Sequence, residues 1–319
     1  MTRGRVVLTG STGFIGSAIL RRLSAVGVPA RVRAVCRTEP VGPHRVPGVE
    51  YARADLTEPA SLRGLCEGAG VLVHAAPYVG RDQARCVAVN ERGTAELVAE
   101  AQAAGVRRIV YVSTTAVYGP GPHRGAETGE LTPAPISATS RTRLAAERSV
   151  TGAAGLVLRA GLVLGPGDRW VVPALRELAQ RVPGRWDGGR ALLSLIDVAD
   201  LARLVAAAVT ADAAPVGVYH AANPEPVRVG ALLAALTRHR ILPPAADDAE
   251  GLTWEACLHR LRSTPGQVSE RQFALLAQDH HYHCDEIWQL LGCAPGPGPL
   301  ARLGAAASWY RSQAGEGRS

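Results

Sequence analysis

Arg5-Val6-Val7-Leu8-Thr9-Gly10-Ser11-Thr12-Gly13-Phe14-Ile15-Gly16 is the stretch that decides the fold. The apolar, β-branched run predicts a buried strand. It passes into glycines spaced G-x-x-G-x-x-G, and Ile15, Ile19, Leu20 and Leu23 continue with helical spacing. In such a strand–turn–helix opening Gly10 permits the tight turn, and Gly13 lets backbone approach a pyrophosphate without a Cβ in the way. Gly16 lets helix and strand pack closely, while the helix start offers free N–H groups to the anion. The expectation is a nicotinamide dinucleotide site built on Gly10, Ser11, Thr12, Gly13, Phe14 and Ile15.

Working outward, residues 30–37 alternate as a second strand ending in Arg37. In such folds a carboxylate at that strand end would bond a ribose 2′-hydroxyl, whereas a guanidinium pairs with a 2′-phosphate; no Asp or Glu stands there, so NADPH/NADP+ is expected. A third strand over 49–56 ends in Asp55-Leu56, where a side chain can reach the adenine edge, and a fourth over 71–76 ends in Ala75 and Ala76, small enough for close backbone approach. A helical pattern with Asn90, Thr94, Leu97 and Val98 follows, then a fifth strand over 109–114 ending in the hydroxyls of Ser113 and Thr114. A Gly, Pro and Glu-rich loop over 119–135 leads to a helix around 142–150, and a sixth strand covers 156–159.

Residues 193–200 return towards the core before a helix over 201–209, and another strand covers 216–220. Strands alternating with helices imply an α/β fold with a Rossmann-type doubly wound parallel sheet. Beyond about residue 222 the pattern changes to helical pieces, which predicts a smaller, mainly helical C-terminal substrate lobe. The expected division is 1–165 as the NADP-binding domain with 190–222 returning to it, 166–189 and 223–312 as the lobe, and 313–319 as a flexible tail.

The bulk numbers exclude several classes. At 319 residues, 47% hydrophobic and 20% charged, the chain reads as an ordinary globule. No apolar run is long enough for a membrane span and no secretory leader is visible, so a cytoplasmic location is expected. Six cysteines without C-x-x-C spacing read as free thiols in a reducing compartment, and His280, His281 and His283 lack a matching ligand set, so no metal is expected. The net charge is +7, carried by arginines spread along the whole chain with no lysine, and only 4% of residues are aromatic. That pattern reads as a solvated surface plus a phosphate site, with no nucleic acid as partner.

Thr9-Gly10-Ser11-Thr12-Gly13-Phe14-Ile15-Gly16, Asp55-Leu56, His74-Ala75-Ala76, Asn90, Ser113 to Gly119, Arg159, Gly165-Pro166-Gly167 and Asp197 to Asp200 occur in one order. With them the chain resembles the extended short-chain dehydrogenases/reductases of the sugar-nucleotide epimerase and ketoreductase kind, over most of its length. The resemblance implies an active-site Ser/Thr, Tyr and Lys. The Ser/Thr falls on Thr114, but Thr139 stands in the tyrosine position and Arg143 in the lysine position, just before Leu144-Ala145-Ala146-Glu147. It further implies that Arg143 serves the cofactor, and it extends to atypical ketoreductases that act on angucyclinones in antibiotic biosynthesis.

The loss has chemical consequences. Hydride delivery to a ketone builds charge on oxygen, and a tyrosine of lowered pKa normally supplies the proton. A threonine hydroxyl is too weak an acid, so Thr139 serves for hydrogen bonding only, and Arg143 stays charged and shuttles no proton. Three escapes remain: Tyr78 or Tyr118 as acid, a proton carried by the substrate beside its carbonyl, or no chemistry at all. General acid catalysis is worth about 10² to 10⁴ in rate and proximity more, so reduction survives the loss. A phenol next to the ketone would suffice, which points to an aromatic polyketide ketone as the small-molecule substrate; that it is an angucyclinone is what the resemblance implies.

Ser113 and Thr114 are candidate donors to the carbonyl, and Tyr78 is a candidate substrate contact. Tyr118 reads as packed beside the nicotinamide, Tyr282 as a surface residue, Asn90 as a structural helix residue near the site, and Asp197 and Asp200 as caps of the next helix. The expected assembly is a monomer or homodimer. Besides the ketoreductase, the pattern allows a non-catalytic NADP(H)-sensing regulator, or a nucleotide-sugar epimerase or dehydratase, which would need a tyrosinate base.

Overall fold

The computed structural model describes residues 4–27, 32–42, 45–243 and 251–316. β1 (Arg5–Thr9) feeds α1 (Phe14–Ala25), followed by β2 (Val32–Cys36), β3 (Glu50–Arg53) and β4 (Ala69–His74). A helical stretch comes in three pieces, α2 (Gln83–Cys86), a wider π-type turn over Val87–Arg92 and α3 (Gly93–Ala103). Then come β5 (Arg108–Thr114), β6 (His123–Ala126), α4 (Ala138–Gly152), β7 (Leu156–Ala160) and β8 (Leu162–Leu164). The chain continues through α5 (Val171–Arg181), β9 (Arg185–Trp186), β10 (Leu192–Leu193), β11 (Leu195–Asp197), α6 (Val198–Thr210) and β12 (Gly217–Ala221). It ends in β13 (Val227–Arg228), α7 (Val229–Arg238), β14 (Gly251–Leu252), α8 (Trp254–Ser263), α9 (Glu270–Ala277), β15 (His280–Tyr282), α10 (Asp285–Leu290) and α11 (Pro299–Glu316).

Seven strands form one parallel sheet in the order β3-β2-β1-β4-β5-β7-β12, the doubly wound arrangement that the alternating pattern predicts. Because successive strand residues point to opposite faces, Val6, Leu8, Val110, Val112, Leu156 and Leu158 pack in one core with Ile19 and Leu23 of α1 and Leu201 and Leu204 of α6. Their neighbours Val7, Leu72, Ile109, Tyr111 and Val157 pack with Leu97 of α3 and Val150 of α4 in another. Both faces are therefore covered, which is why the central strands are mostly apolar.

A third cluster, with Leu175, Leu178, Leu193, Leu232, Leu236, Phe273 and Tyr310, forms from the residues between and after the last sheet strands. Phe273 meets Trp186 edge-on and stacks on Trp254. Each such side chain contributes about 1.5–3 kcal/mol on burial, so this part of the chain has a core of its own.

Several boundaries differ from the expectations. The second strand is Val32–Cys36, and residues 30–31 lie outside those described. α4 begins at Ala138 because Ser137 and Ser140 form a reciprocal capping box at its start. α11 runs on to Glu316, so the expected tail from residue 313 is helical as far as it is described. The C-terminal part is less helical than expected: β13, β10, β15 and β6 make a four-stranded sheet, with β15 inside the histidine cluster and β6 inside the supposed loop. Those strands are two to four residues long, too short to show a period in the sequence.

Candidate active site

The glycine turn owes its shape to contacts that no side chain would survive. Gly10 has φ +73°, and a Cβ there would lie 2.3 Å from the Ala75 carbonyl oxygen, while one on Gly16 would lie 2.0 Å from that of Gly10. Gly13 differs, since its nearest obstacle is the Gly10 carbonyl oxygen at 3.3 Å. The space beyond Gly13 is therefore open on the side of the cleft. α1 starts there with no side-chain cap and no acidic residue in its first turn, leaving its N-terminal N–H groups to an anion.

That turn opens onto a cleft of about 530 Å³. Its walls bring together Gly10, Thr12, Gly13, Arg37, Asp55, Leu56, Ala75, Ala76 and Tyr78, all expected from the sequence at this site. Thr57, Arg85 and Val89 also line it and were missed. Asp55 Oδ1 accepts from the Thr57 N–H at 2.9 Å and its hydroxyl at 2.8 Å. Those bonds, the backbone one first, hold its carboxyl below the usual carboxylate range.

The remaining candidates are placed differently. Ser11 is buried and its hydroxyl donates to the Val35 carbonyl, tying the turn to β2. Phe14 packs its ring beside Gly167, and both it and Ile15 are half-buried in the first turn of α1. Thr114 is half-buried and accepts from the Ala116 N–H. Ser113 is buried and donates to Glu147, which leaves no hydroxyl proton for a substrate. Thr139 donates to the Gly80 carbonyl at 3.2 Å, with Cys86 Sγ 3.6 Å away. Arg143 is buried and donates from Nη2 to the Val112 carbonyl at 2.8 Å, while its Nε has no partner.

Asn90 earns a larger part than that of a helix residue. Buried in the π-type turn, it accepts from the Tyr78 N–H at 2.7 Å and donates to the Tyr78 carbonyl at 3.0 Å and to Thr142 Oγ1 at 3.0 Å. It thereby fixes the backbone of Tyr78 at the cleft and ties it to α4.

Behind the cleft lies a buried polar network. Arg159 Nη2 donates to Glu147 at 2.7 Å, and Arg159 Nη1 donates to the Tyr118 hydroxyl at 2.8 Å, which in turn lies 2.6 Å from His220 Nε2. Tyr118 stacks on Tyr282, whose hydroxyl is 2.8 Å from His123 Nδ1. Tyr282 is only 4% exposed, against its expected surface position, because β15 carries it into this network. Burial pushes the Tyr118 hydroxyl up, away from the range of a working acid. Asp197 caps α6 as expected, but Asp200 pairs instead with Arg203 and Arg302.

Burial holds His74 down to about 3, and His220 and His280 to about 4 each. An unfolded histidine titrates near 6.5, so below that pH the unfolded chain binds more protons than the native one. The contribution of these histidines to stability is complete above about pH 6.5 and is lost as pH falls towards about 4. The expected outcome is a thermal midpoint that drops between pH 7 and pH 5; a flat midpoint there would contradict these assignments. Among the described residues no group of His, Cys, Asp or Glu is arranged to hold a metal, and no helix is long and apolar enough to cross a membrane.

Residues 6–222 match the model of the NAD dependent epimerase/dehydratase family. The chain is similar to a 3-diazoavenalumate denitrifying reductase of a Streptomyces species, 32% identical over 291 residues, covering 84% of this chain and 93% of that protein. It is also similar to a 4-hydroxy-2-methyl-3-oxo-4-farnesyl-3,4-dihydroquinoline-1-oxide ketoreductase of Stigmatella aurantiaca, 30% identical over 244 residues, covering 73% and 72%. Of other curated relatives, 32–34% identical, the match spans about half the length. Among solved structures, the Bordetella bronchiseptica enzyme WbmH in complex with NAD+ superposes with a TM-score of 0.74 at 21% identity, over 97% of this chain and 98% of that one. At that identity the likeness concerns the fold alone. The glycine turn, the strand order and the family match together place the chain in the NAD dependent epimerase/dehydratase family.

Proposed function

We propose that the protein is an NADPH-dependent ketoreductase that reduces a carbonyl of an aromatic polyketide of the angucyclinone class, with the proton for the carbonyl oxygen drawn from a neighbouring phenol of the substrate. The observation that carries this reading is the state of positions 139 and 143. Thr139 spends its hydroxyl proton on the Gly80 carbonyl, and the Arg143 guanidinium is turned to the Val112 carbonyl of β5. No tyrosine–lysine pair is present there to act as acid and its activator, so the proton must come from elsewhere. Relatives named as a ketoreductase and a reductase support hydride transfer as the activity.

The residues fit the dinucleotide. Gly10 and Gly13 leave room for a pyrophosphate against the start of α1, Arg37 stands where a 2′-phosphate would be read, and Asp55-Leu56 with Ala75 and Ala76 frame the adenosine end. When bound, the nicotinamide supplies the hydride that adds to the carbonyl carbon. This chain's residues contribute by orienting: Asn90 holds the Tyr78 backbone at the cleft wall, and Thr114 at the end of β5 is the hydroxyl assigned to the carbonyl. Orientation of this kind accounts for most of the rate when a general acid is missing.

The test is NADPH consumption by the pure protein on a panel of hydroxylated fused-ring ketones, with Tyr78→Phe beside the wild type. Turnover is expected on ketones that carry an adjacent phenol, with Tyr78→Phe losing less than about tenfold, since general acid catalysis is worth about 10² to 10⁴. A Tyr78→Phe loss well beyond tenfold would assign the proton to the protein. Tight cofactor binding with no turnover on any ketone would favour the sensing reading, which the same two positions also suit.

A further inference from the structure

Resting on that reading, we propose that Arg85 is a second cation of the 2′-phosphate site, closing on the phosphate together with Arg37. The two arginines come from strands on either side of β1 in the sheet: Arg37 follows β2 and Arg85 lies in α2 after β4. The glycine turn ends β1 between them. Both line the same cleft, and the only other charged residue on its walls is Asp55.

Both side chains are exposed. Among the described residues neither guanidinium makes a hydrogen bond or a salt bridge. That of Arg85 sits 5.0 Å from the centre of the Tyr78 ring, at the wall of the cleft. The backbone beneath it is fixed, since the Arg85 N–H donates to Asp82 at 3.0 Å. Asp55 offsets only one of the two positive charges, its Oδ1 also accepting both Thr57 donors. Its carboxyl is held low mainly by those donors, with smaller contributions from Arg37 and Arg85, so both charges act on this part of the cleft.

Two guanidiniums with no ion pair among the described residues, against one carboxylate, leave the cleft one negative charge short. The pyrophosphate already has the glycine turn and the start of α1. A phosphate monoester at the adenosine end carries close to two negative charges and accepts forked bonds from more than one guanidinium. The cleft therefore selects NADPH over NADH through two arginines, one of which no strand-end rule in the sequence identifies.

Equilibrium binding of NADPH and of NADH, read by calorimetry, tests this on the wild type, Arg37→Ala, Arg85→Ala and the double variant. Arg85→Ala is expected to weaken NADPH by about tenfold or more and NADH by less than about twofold, as befits a charge-assisted bond to a group only NADPH carries. The double variant should lose less than the product of the single losses, since both side chains act on one group. Wild-type affinity for NADPH in Arg85→Ala, or equal losses for the two cofactors, would overturn the assignment. Arg85→Gln, which keeps the aliphatic stem over Tyr78, gives the same discrimination should the alanine variant fold poorly. A wild type that binds neither dinucleotide would instead remove the cofactor reading itself.

Discussion

Glu147→Ala is expected to destabilise the protein by about 3–5 kcal/mol, the largest effect of any single substitution considered. Glu147 and Arg159 have side chains 3% and 8% exposed, and Arg159 reaches the carboxylate from Nε at 3.1 Å and from Nη2 at 2.7 Å. Ser113 adds a third donor. Truncating the carboxylate strands a buried guanidinium and a buried hydroxyl, and the guanidinium keeps only its bond to Tyr118. Because Tyr118 joins His220 and Tyr282, the damage spreads from α4 to β12 and β15. Urea unfolding measures it, and a loss below about 1 kcal/mol would show that the pair matters little to stability.

The second large effect is on the substrate side. Replacing the phenol beside the reacted carbonyl by its methyl ether should slow reduction by about 10² to 10⁴, the usual worth of a positioned proton donor. The ether keeps the ring, so orientation in the cleft is preserved while the proton is removed. Threonine at position 139 offers no replacement, since its hydroxyl already donates to Gly80. Tyr118 offers none either, being 3% exposed and bonded to both Arg159 and His220.

How much of this was legible depends on whether the cause is local. The opening turn was readable because each glycine answers to a neighbour close in sequence or to the next strand, and only residues without a Cβ meet those limits. The sheet was readable because its central strands, buried on both faces, are apolar at most positions. The network behind the cleft was not. Tyr282 meets Tyr118 and His123 only after β15 pairs with β6, and strands that short carry no pattern. A signal was present in the charges: Arg159 lies in an apolar strand, and a charge in such a place calls for a partner. Asn90 was legible as a helix residue near the site, but its bonds to Tyr78 and Thr142 were not, since they form only once the chain folds; Arg85 carried no motif that marked it.

The most direct test compares the rate of NADPH oxidation on a fused-ring phenolic ketone and on its methyl ether, for the wild type and for Thr139→Val. The expected result is a drop of about 10² or more from phenol to ether in both proteins, with the valine variant within a few-fold of the wild type on the phenol. Equal rates on phenol and ether, together with a comparable collapse in Thr139→Val, would place the proton on the protein at position 139 and contradict a substrate-derived one.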